Sequence, residues 1–212
     1  YMDINMITTT RITNNKFIDI HSHIIYGVDD GAKTRDESIM YLNEALKCGV
    51  RSIICTPHIC YGKREKIEKI IRNFLDIREY ASSIGIDLYL GMEILISNKT
   101  VEFLKSKRLR SLNGKKYVLV EFKRNENIDL DNLIYMLEEI IDLGYIPVLA
   151  HPELYINYRN IEDIRKIKES GILLQMDATS ICKRSSNIKI CKFSKKLLQE
   201  RLIDFVASDM HC

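Results

Sequence analysis

Side chains able to bind metal ions or transfer protons stand at the ends of short apolar runs in this sequence. All five histidines do so: His21 and His23 follow FIDI, and the others follow SIICTP, PVLA and FVASDM, as His58, His151 and His211. Carboxylates hold the same kind of position in LYLGMEI, YVLVEF and ASDMH, as Glu93, Glu121 and Asp209. Imidazoles and carboxylates together suit divalent Mn, Fe and Zn. The pattern therefore predicts a metal site.

The number of these groups indicates more than one ion. With Asp30 of VDDG they make nine predicted ligands, whereas one catalytic ion takes about three protein ligands and keeps one position open. Nine ligands, with a carboxylate able to bridge, fit two or three divalent ions. Such sites mostly hydrolyse phosphate esters, because the metals hold the oxygens and activate water. Each motif alone is weak: HSH often only hydrogen-bonds, and Asp29-Asp30-Gly31 is typical of a turn.

Seven apolar runs must position these side chains. They start near residues 17, 51, 87, 117, 146, 172 and 204 and are rich in Val, Ile, Tyr and Phe, as buried strands are. Amphipathic segments lie between them, at the spacing of βα units. We therefore expect an α/β fold in which seven parallel strands close into a barrel related to the TIM barrel, with all strand exits at one mouth. An open doubly wound sheet is the alternative, but no nucleotide-binding glycine motif supports it.

The helix boundaries have their own signals. Thr34-Arg-Asp-Glu37 predicts a capping box at the start of the first helix. Glycines at 49, 85, 144 and 171 stand where helices should end.

Length and composition limit the class of protein. The chain has 212 residues and a net charge of +3, which suits one globular domain and gives no argument for nucleic acid or a membrane surface. No apolar stretch is long enough to span a membrane, and no signal-peptide core is present, so we expect a cytoplasmic protein. Residues 1–16 read as a poorly ordered extension and 17–212 as a single domain.

Thiol chemistry is the main alternative for a phosphatase, and the sequence argues against it. A thiol phosphatase loop needs Cys, five residues and then Arg, so that backbone N–H groups surround the phosphate. None of the six cysteines has Arg six positions later. The clusters of Lys and Arg, such as Lys105 to Arg110, read as solvated faces, although a phosphorylated partner could use some of them.

The motifs, taken in order, resemble a known family. IDIHSH, VDDG, TPH, GMEI, VEF, AHPE and ASDMH follow the order of the PHP (polymerase and histidinol phosphatase) superfamily from about Phe17 to His211. The resemblance is strongest to bacterial manganese-dependent tyrosine phosphatases of the CpsB/CapC type, which act in capsule and exopolysaccharide synthesis. VDDGAKT and ASDMH are specific to that branch, whereas HxH is general to the superfamily.

The resemblance implies a trinuclear site on a distorted seven-stranded (β/α)7 barrel. The first metal would have the ligands His21, His23, Glu93 and Asp209. The second would share Glu93 and add Glu121 and His151, and the third would have Asp30, His58 and His211. The implied reaction is attack of a metal-bound hydroxide on phosphotyrosine, with catalytic roles for Glu93, Glu121 and His58. The implied substrate is the Tyr-rich tail of a bacterial tyrosine kinase.

Two departures from the family pattern affect these expectations. Leu154 stands where the family usually has an Arg that would grip phosphate, and Arg159 is the nearest candidate to replace it. The chain also stops at Cys212, directly after the last ligand motif, so the last covering helix is expected to be missing. Two other functions stay open: a small-molecule phosphoesterase like histidinol-phosphate phosphatase, and a catalytically weakened metal-binding module that docks on the kinase.

Overall fold

A computed structural model describes residues 17–59, 63–123, 129–155, 160–181 and 187–211. The predicted N-terminal extension, 1–16, lies outside the described residues. The described strands are β1 Phe17–Ser22, β2 Val50–Cys55, β3 His58–Ile59, β4 Asp87–Leu90, β5 Glu93–Leu95, β6 Tyr117–Glu121, β7 Ile146–Ala150, β8 Leu173–Asp177 and β9 Phe205–Ala207. The helices are α1 Arg35–Lys47, α2 Arg64–Ser83, α3 Thr100–Lys105, α4 Leu130–Asp142, α5 Ile161–Glu169 and α6 Ile188–Gln199.

The strands form two parallel sheets, in the orders β1-β2-β4 and β3-β5-β6-β7-β8-β9. The α/β class with parallel strands is thus as predicted, but the described part of the chain has nine strands in two sheets rather than seven in one. The two additional strands, β3 and β5, each follow a predicted strand after two residues.

Two local breaks explain the additional strands. Pro57 separates β2 from β3, and proline has no N–H to donate to a strand ladder. Gly91 separates β4 from β5, and a Cβ at this position would lie 2.8 Å from the Leu112 side chain. The backbone still connects across the breaks, because Gly91 N–H donates to Cys55 at 2.9 Å and Glu93 N–H donates to Pro57 at 3.3 Å.

The first and last strands meet near the site. Ser22 and Met210 form an isolated parallel bridge. His23 N–H donates to the Met210 carbonyl at 3.1 Å, and Asp209 N–H donates to the His21 carbonyl at 3.0 Å. These bonds fix the segment after β9 against the end of β1, so the two ends of the domain hold each other in register.

The helices follow the predicted signals. Thr34 and Glu37 form the predicted capping box of α1. Helix α2 buries one stripe that includes Ile70, Phe74 and Ile77, as its periodicity predicts. The four predicted helix-ending glycines all have positive φ, where a side chain would be strained. Among the described helices, none combines the length and apolarity that crossing a bilayer requires.

Candidate metal centre

The predicted ligands all lie where strands reach the mouth. His21 is in β1, and His23 follows that strand directly. The short strands β3 and β5, which follow β2 and β4, begin with His58 and Glu93. Four more end or follow a strand: Glu121, His151, Asp209 and His211. Asp30 lies in the loop between β1 and α1. Because the parallel strands end on the same side of the fold, predicted ligands as far apart in sequence as His21 and His211 lie close together.

The structure groups these side chains by overlapping sets of close ligand atoms. Three sets have all their ligand atoms within 4.8 Å of one another: His21, His23, Glu93 and Asp209; His58, Glu93 and Glu121; and His23, Asp30, His58 and His211. The ninth, His151, places Nε2 3.0 Å from Glu93 Oε1. All nine predicted ligands therefore belong to one cluster, and Glu93 is its centre.

The chemistry of the donor atoms fits divalent cations. Glu93 Oε2 lies 3.1 Å from His21 Nε2, 3.2 Å from His23 Nε2 and 2.9 Å from His58 Nδ1. Despite these short distances, the described residues offer this buried oxygen no hydrogen bond of suitable geometry. The same holds for Asp209 Oδ1, which lies near Nε2 of His21 and of His23. Lone pairs from several groups converge on shared points, and such convergence is stable when a cation lies between them.

The electrostatics of the protein atoms point the same way. Burial opposes charge on His21, but the charges of Glu93 and Asp209 outweigh it and raise the pKa of His21 to about 9. Burial also opposes charge on His58, but Glu121 and Glu93 outweigh it and raise the pKa of His58 to about 10. Despite burial, the neighbouring histidines hold the pKa of Glu93 well below its usual range. The cluster therefore demands positive charge, which protons or metal ions can supply.

The imidazoles are held in the orientation that metal binding needs. Asp29 Oδ2 accepts from His23 Nδ1 at 2.9 Å, and the Gln175 side-chain oxygen lies 2.7 Å from His21 Nδ1. With Nδ1 donating, each Nε2 faces the shared point and presents its lone pair to an ion once its own proton has left. Asp29 Oδ2 also accepts from the His58 backbone N–H at 3.0 Å, so one carboxylate positions two predicted ligands.

Sequence reasoning missed these orienting residues. In the sequence, Asp29 reads only as part of a turn. Its neighbour Asp30 carries the same functional group, and no sequence feature separates their roles. Gln175 lies in β8, 154 positions from its partner His21, and no motif marks it. The available signal was a polar residue inside the apolar run Ile172–Met176, where a buried amide needs a specific partner.

Backbone geometry at the site is tightly constrained. A Cβ on Gly31 would lie 2.0 Å from the His23 carbonyl oxygen, so only glycine allows the VDDG loop to close over His23. His151 and Asp209 both have positive φ, at 36° and 46°. Non-glycine residues adopt this conformation at a cost, so the surrounding structure must hold both residues in place.

A cavity of about 540 Å³ opens over the exposed part of the cluster. We call it the mouth cavity; its walls include Asp30, His58, Glu121, His211, Phe122 and Lys66. Leu154 lies in a short 3-10 helix after His151 and is not among the residues that line this cavity. Arg159, the predicted phosphate clamp, lies outside the described residues. Cys55 is buried, and burial raises the pKa of its thiol.

The fold and the cluster define a class: a parallel α/β protein with a multi-ligand N/O metal centre at its strand exits, as in metal-dependent hydrolases. Comparison with known proteins narrows this class. The family described as "Capsular polysaccharide synthesis, CpsB/CapC" matches residues 17–212. This chain belongs to the CpsB/CapC family, which confirms the predicted resemblance.

Individual relatives agree with that assignment. The chain is 38% identical to tyrosine-protein phosphatase CpsB of Streptococcus pneumoniae, over 92% of this chain and 82% of the relative. It is 34% identical to tyrosine-protein phosphatase YwqE of Bacillus subtilis, over 92% and 77%. A crystal structure from work on YwqE and CpsB, described as unique metal-dependent tyrosine phosphatases, superposes with a TM-score of 0.78 at 31% identity, covering 92% of this chain and 79% of that one.

Proposed function

We propose that this chain is a metal-dependent protein-tyrosine phosphatase that hydrolyses phosphotyrosine. The observation that carries the proposal is the convergence of all nine predicted ligands around Glu93. Its support from the comparisons is that relatives over 30% identical, matched across most of their length, are named tyrosine-protein phosphatases.

The metal centre would hold two or three divalent ions, with Mn expected and Fe or Zn as alternatives. His21, His23, Glu93 and Asp209 would hold the first ion. Glu93, Glu121 and His151 would hold the second, and Asp30, His58 and His211 the third. His58 places Nδ1 2.9 Å from Glu93 Oε2 and 2.9 Å from Glu121 Oε1, so this ring would also lie beside the second ion. When bound, such ions activate water and polarise phosphoryl oxygens.

The chain's own residues would orient the reaction. Asp29 and Gln175 contact Nδ1 of His23 and His21 and so orient both imidazoles with Nε2 toward the centre of the cluster. Glu93 would be the ligand that the ions share. The mouth cavity is large enough for a phosphotyrosine side chain. The departing phenolate needs little help from an acid, because the pKa of a phenol is only about 10.

We further propose that the two sheets together form one distorted barrel. In this barrel β2 and β3 count as one interrupted strand and β4 and β5 as another, so the nine strands make seven. The hydrogen bonds across both breaks and the bridge between Ser22 and Met210 support this arrangement. A closed wall explains why the strand exits of both sheets face one centre.

The physiological substrate would be the Tyr-rich tail of a bacterial tyrosine kinase that controls capsule synthesis. The family's description as capsular polysaccharide synthesis supports that role. The cytoplasmic location stays a prediction.

The test uses chelator-stripped chain reconstituted with Mn²⁺, and it compares phosphate release from a phosphotyrosine peptide and from histidinol phosphate. The proposal expects metal-dependent turnover with a clear preference for the peptide. A preference for histidinol phosphate would favour a small-molecule phosphoesterase. Turnover at background with metals fully bound would favour a binding module.

A further inference from the structure

A lysine lies on the inward face of α2, where the helix pattern calls for an apolar residue. The buried stripe of this helix includes Ile70, Phe74 and Ile77. Lys66 stands one turn before Ile70, so its side chain leaves the helix on the same face. It is half-buried, whereas the neighbouring Lys63 and Lys69 are exposed. Lys66 thus stands at the end of the apolar stripe, and its side chain lines the mouth cavity.

Lys66 lines the mouth cavity together with Asp30, His58, Glu121 and His211. The described residues offer it no ion pair, although Arg64, two positions earlier, pairs with Glu68 at 2.8 Å. Its side chain thus forms part of the cavity wall, and none of the described carboxylates pairs with its charge at the surface. Holding a long cationic side chain there costs side-chain entropy, which an anionic ligand would offset.

The anion that this cavity would receive is a phosphate monoester. A lysine ammonium is a compact charge with three donors, and it binds phosphate oxygens well. An acidic residue beside the phosphotyrosine is a second candidate partner, but it would lie outside the part of the cavity that receives the phosphoryl group. Neither Lys63 nor Lys69 is among the described residues that line this cavity. The inward position of Lys66 favours the phosphoryl group itself. Lys123 also lines the cavity, but it has other interactions, so the inference concerns Lys66.

We propose that Lys66 binds a non-bridging oxygen of the substrate's phosphoryl group. This residue would supply a positive charge that Leu154 does not. The inference rests on the proposed phosphatase function, because it assigns a substrate-binding residue of the same site.

The test measures binding of inorganic phosphate to the metal-loaded protein by calorimetry, alongside kcat and KM on a phosphotyrosine peptide and on p-nitrophenyl phosphate. Lys66→Met should weaken phosphate binding roughly tenfold to a hundredfold, the range for one charged hydrogen bond. Lys66→Arg should retain binding within a few-fold. Lys69→Met, the same change on an exposed position three residues later, should leave all values unchanged.

Metal content and melting temperature are measured for every variant, and Lys66→Gln repeats the neutralisation with a polar side chain. Equal phosphate binding by Lys66→Met and Lys69→Met would overturn the inference while an active wild-type chain upheld the proposed function. A loss on acidic peptides alone, with phosphate binding and p-nitrophenyl phosphate turnover intact, would also overturn it. An inactive wild-type chain with full metal content would instead reject the proposed function itself.

Discussion

The metal cluster has a buried end and an exposed end, and the two are built differently. The buried end comprises predicted ligands whose side chains expose 0–7% of their surface: His21, His23, Glu93, His151 and Asp209. The exposed end comprises those that expose 28–67%: Asp30, His58 and His211. Asp29 and Gln175 orient histidines of the buried end, and the mouth cavity lies over the exposed end.

The difference in burial predicts that ions at the two ends would bind with different affinities. Unpaired charge in a buried site is costly, so the buried end is stable only with its charges balanced and its ligands pre-oriented. We therefore expect its ion to bind most tightly. The exposed ligands line the mouth cavity, where water can compete with them for an ion, so we expect the ion there to be the first to leave.

Glu93→Gln should have the largest effect, because this carboxylate contacts histidines from both ends. The variant keeps the shape of the side chain but removes its charge. Turnover of phosphotyrosine should fall by roughly 10³-fold or more, equivalent to about 4 kcal/mol. Metal analysis should show fewer bound ions per chain. Glu138→Gln, on the exposed face of α4, is the matched control. Near-normal turnover with full metal content would show that Glu93 does not link the ions.

Asp29→Asn and Asp30→Asn compare adjacent carboxylates with different roles. Asp29 orients the His23 ring directly and His58 only through its backbone, so Asp29→Asn should weaken metal affinity chiefly at the buried end, by about tenfold to a hundredfold. Asp30→Asn should lose only the ion at the exposed end. Ions retained after passage over a chelating resin give the answer. If both variants lost the same ion, the distinction between the two ends would be wrong.

Metal affinity should rise with pH. In the metal-free protein the pKa of His21 is about 9 and that of His58 about 10, so both are protonated at neutral pH. An ion must displace those protons, and its affinity should increase about tenfold per pH unit for each proton displaced. The increase should end above the raised pKa values. Calorimetry at pH 6, 7 and 8 measures it, and affinity independent of pH would contradict protonated ligands.

Leu154→Arg should have the smallest effect, less than about threefold in turnover. Leu154 does not line the mouth cavity, and Lys66 already places a cation there. Kinetics on a phosphotyrosine peptide test this, with Lys66→Met as the background in which any gain should be larger. A gain near a hundredfold, the value of a well-placed phosphate clamp, would mean that the mouth lacks an effective cation.

Strand exits were predictable from the sequence because buried strands and their first polar residues differ sharply in type. That contrast identified eight of the nine predicted ligands, and the ninth, Asp30, came from the VDDG motif. The break at Gly91 was less predictable from the sequence, because it depends on a contact with Leu112, which lies in a later segment of the chain. Gln175 and Lys66 were missed for a similar reason: each looks ordinary in its own strand or helix, and only the fold shows what it faces.

The central claim is that metal ions held by this cluster hydrolyse phosphotyrosine. The most direct measurement titrates Mn²⁺ into chelator-stripped chain and follows bound ions and phosphotyrosine turnover in the same samples. We predict binding of two or three ions per chain, with turnover appearing only as the weakest ion binds, and a melting temperature that rises with the first. Turnover that persists in the stripped chain, or full occupancy without turnover, would contradict the claim.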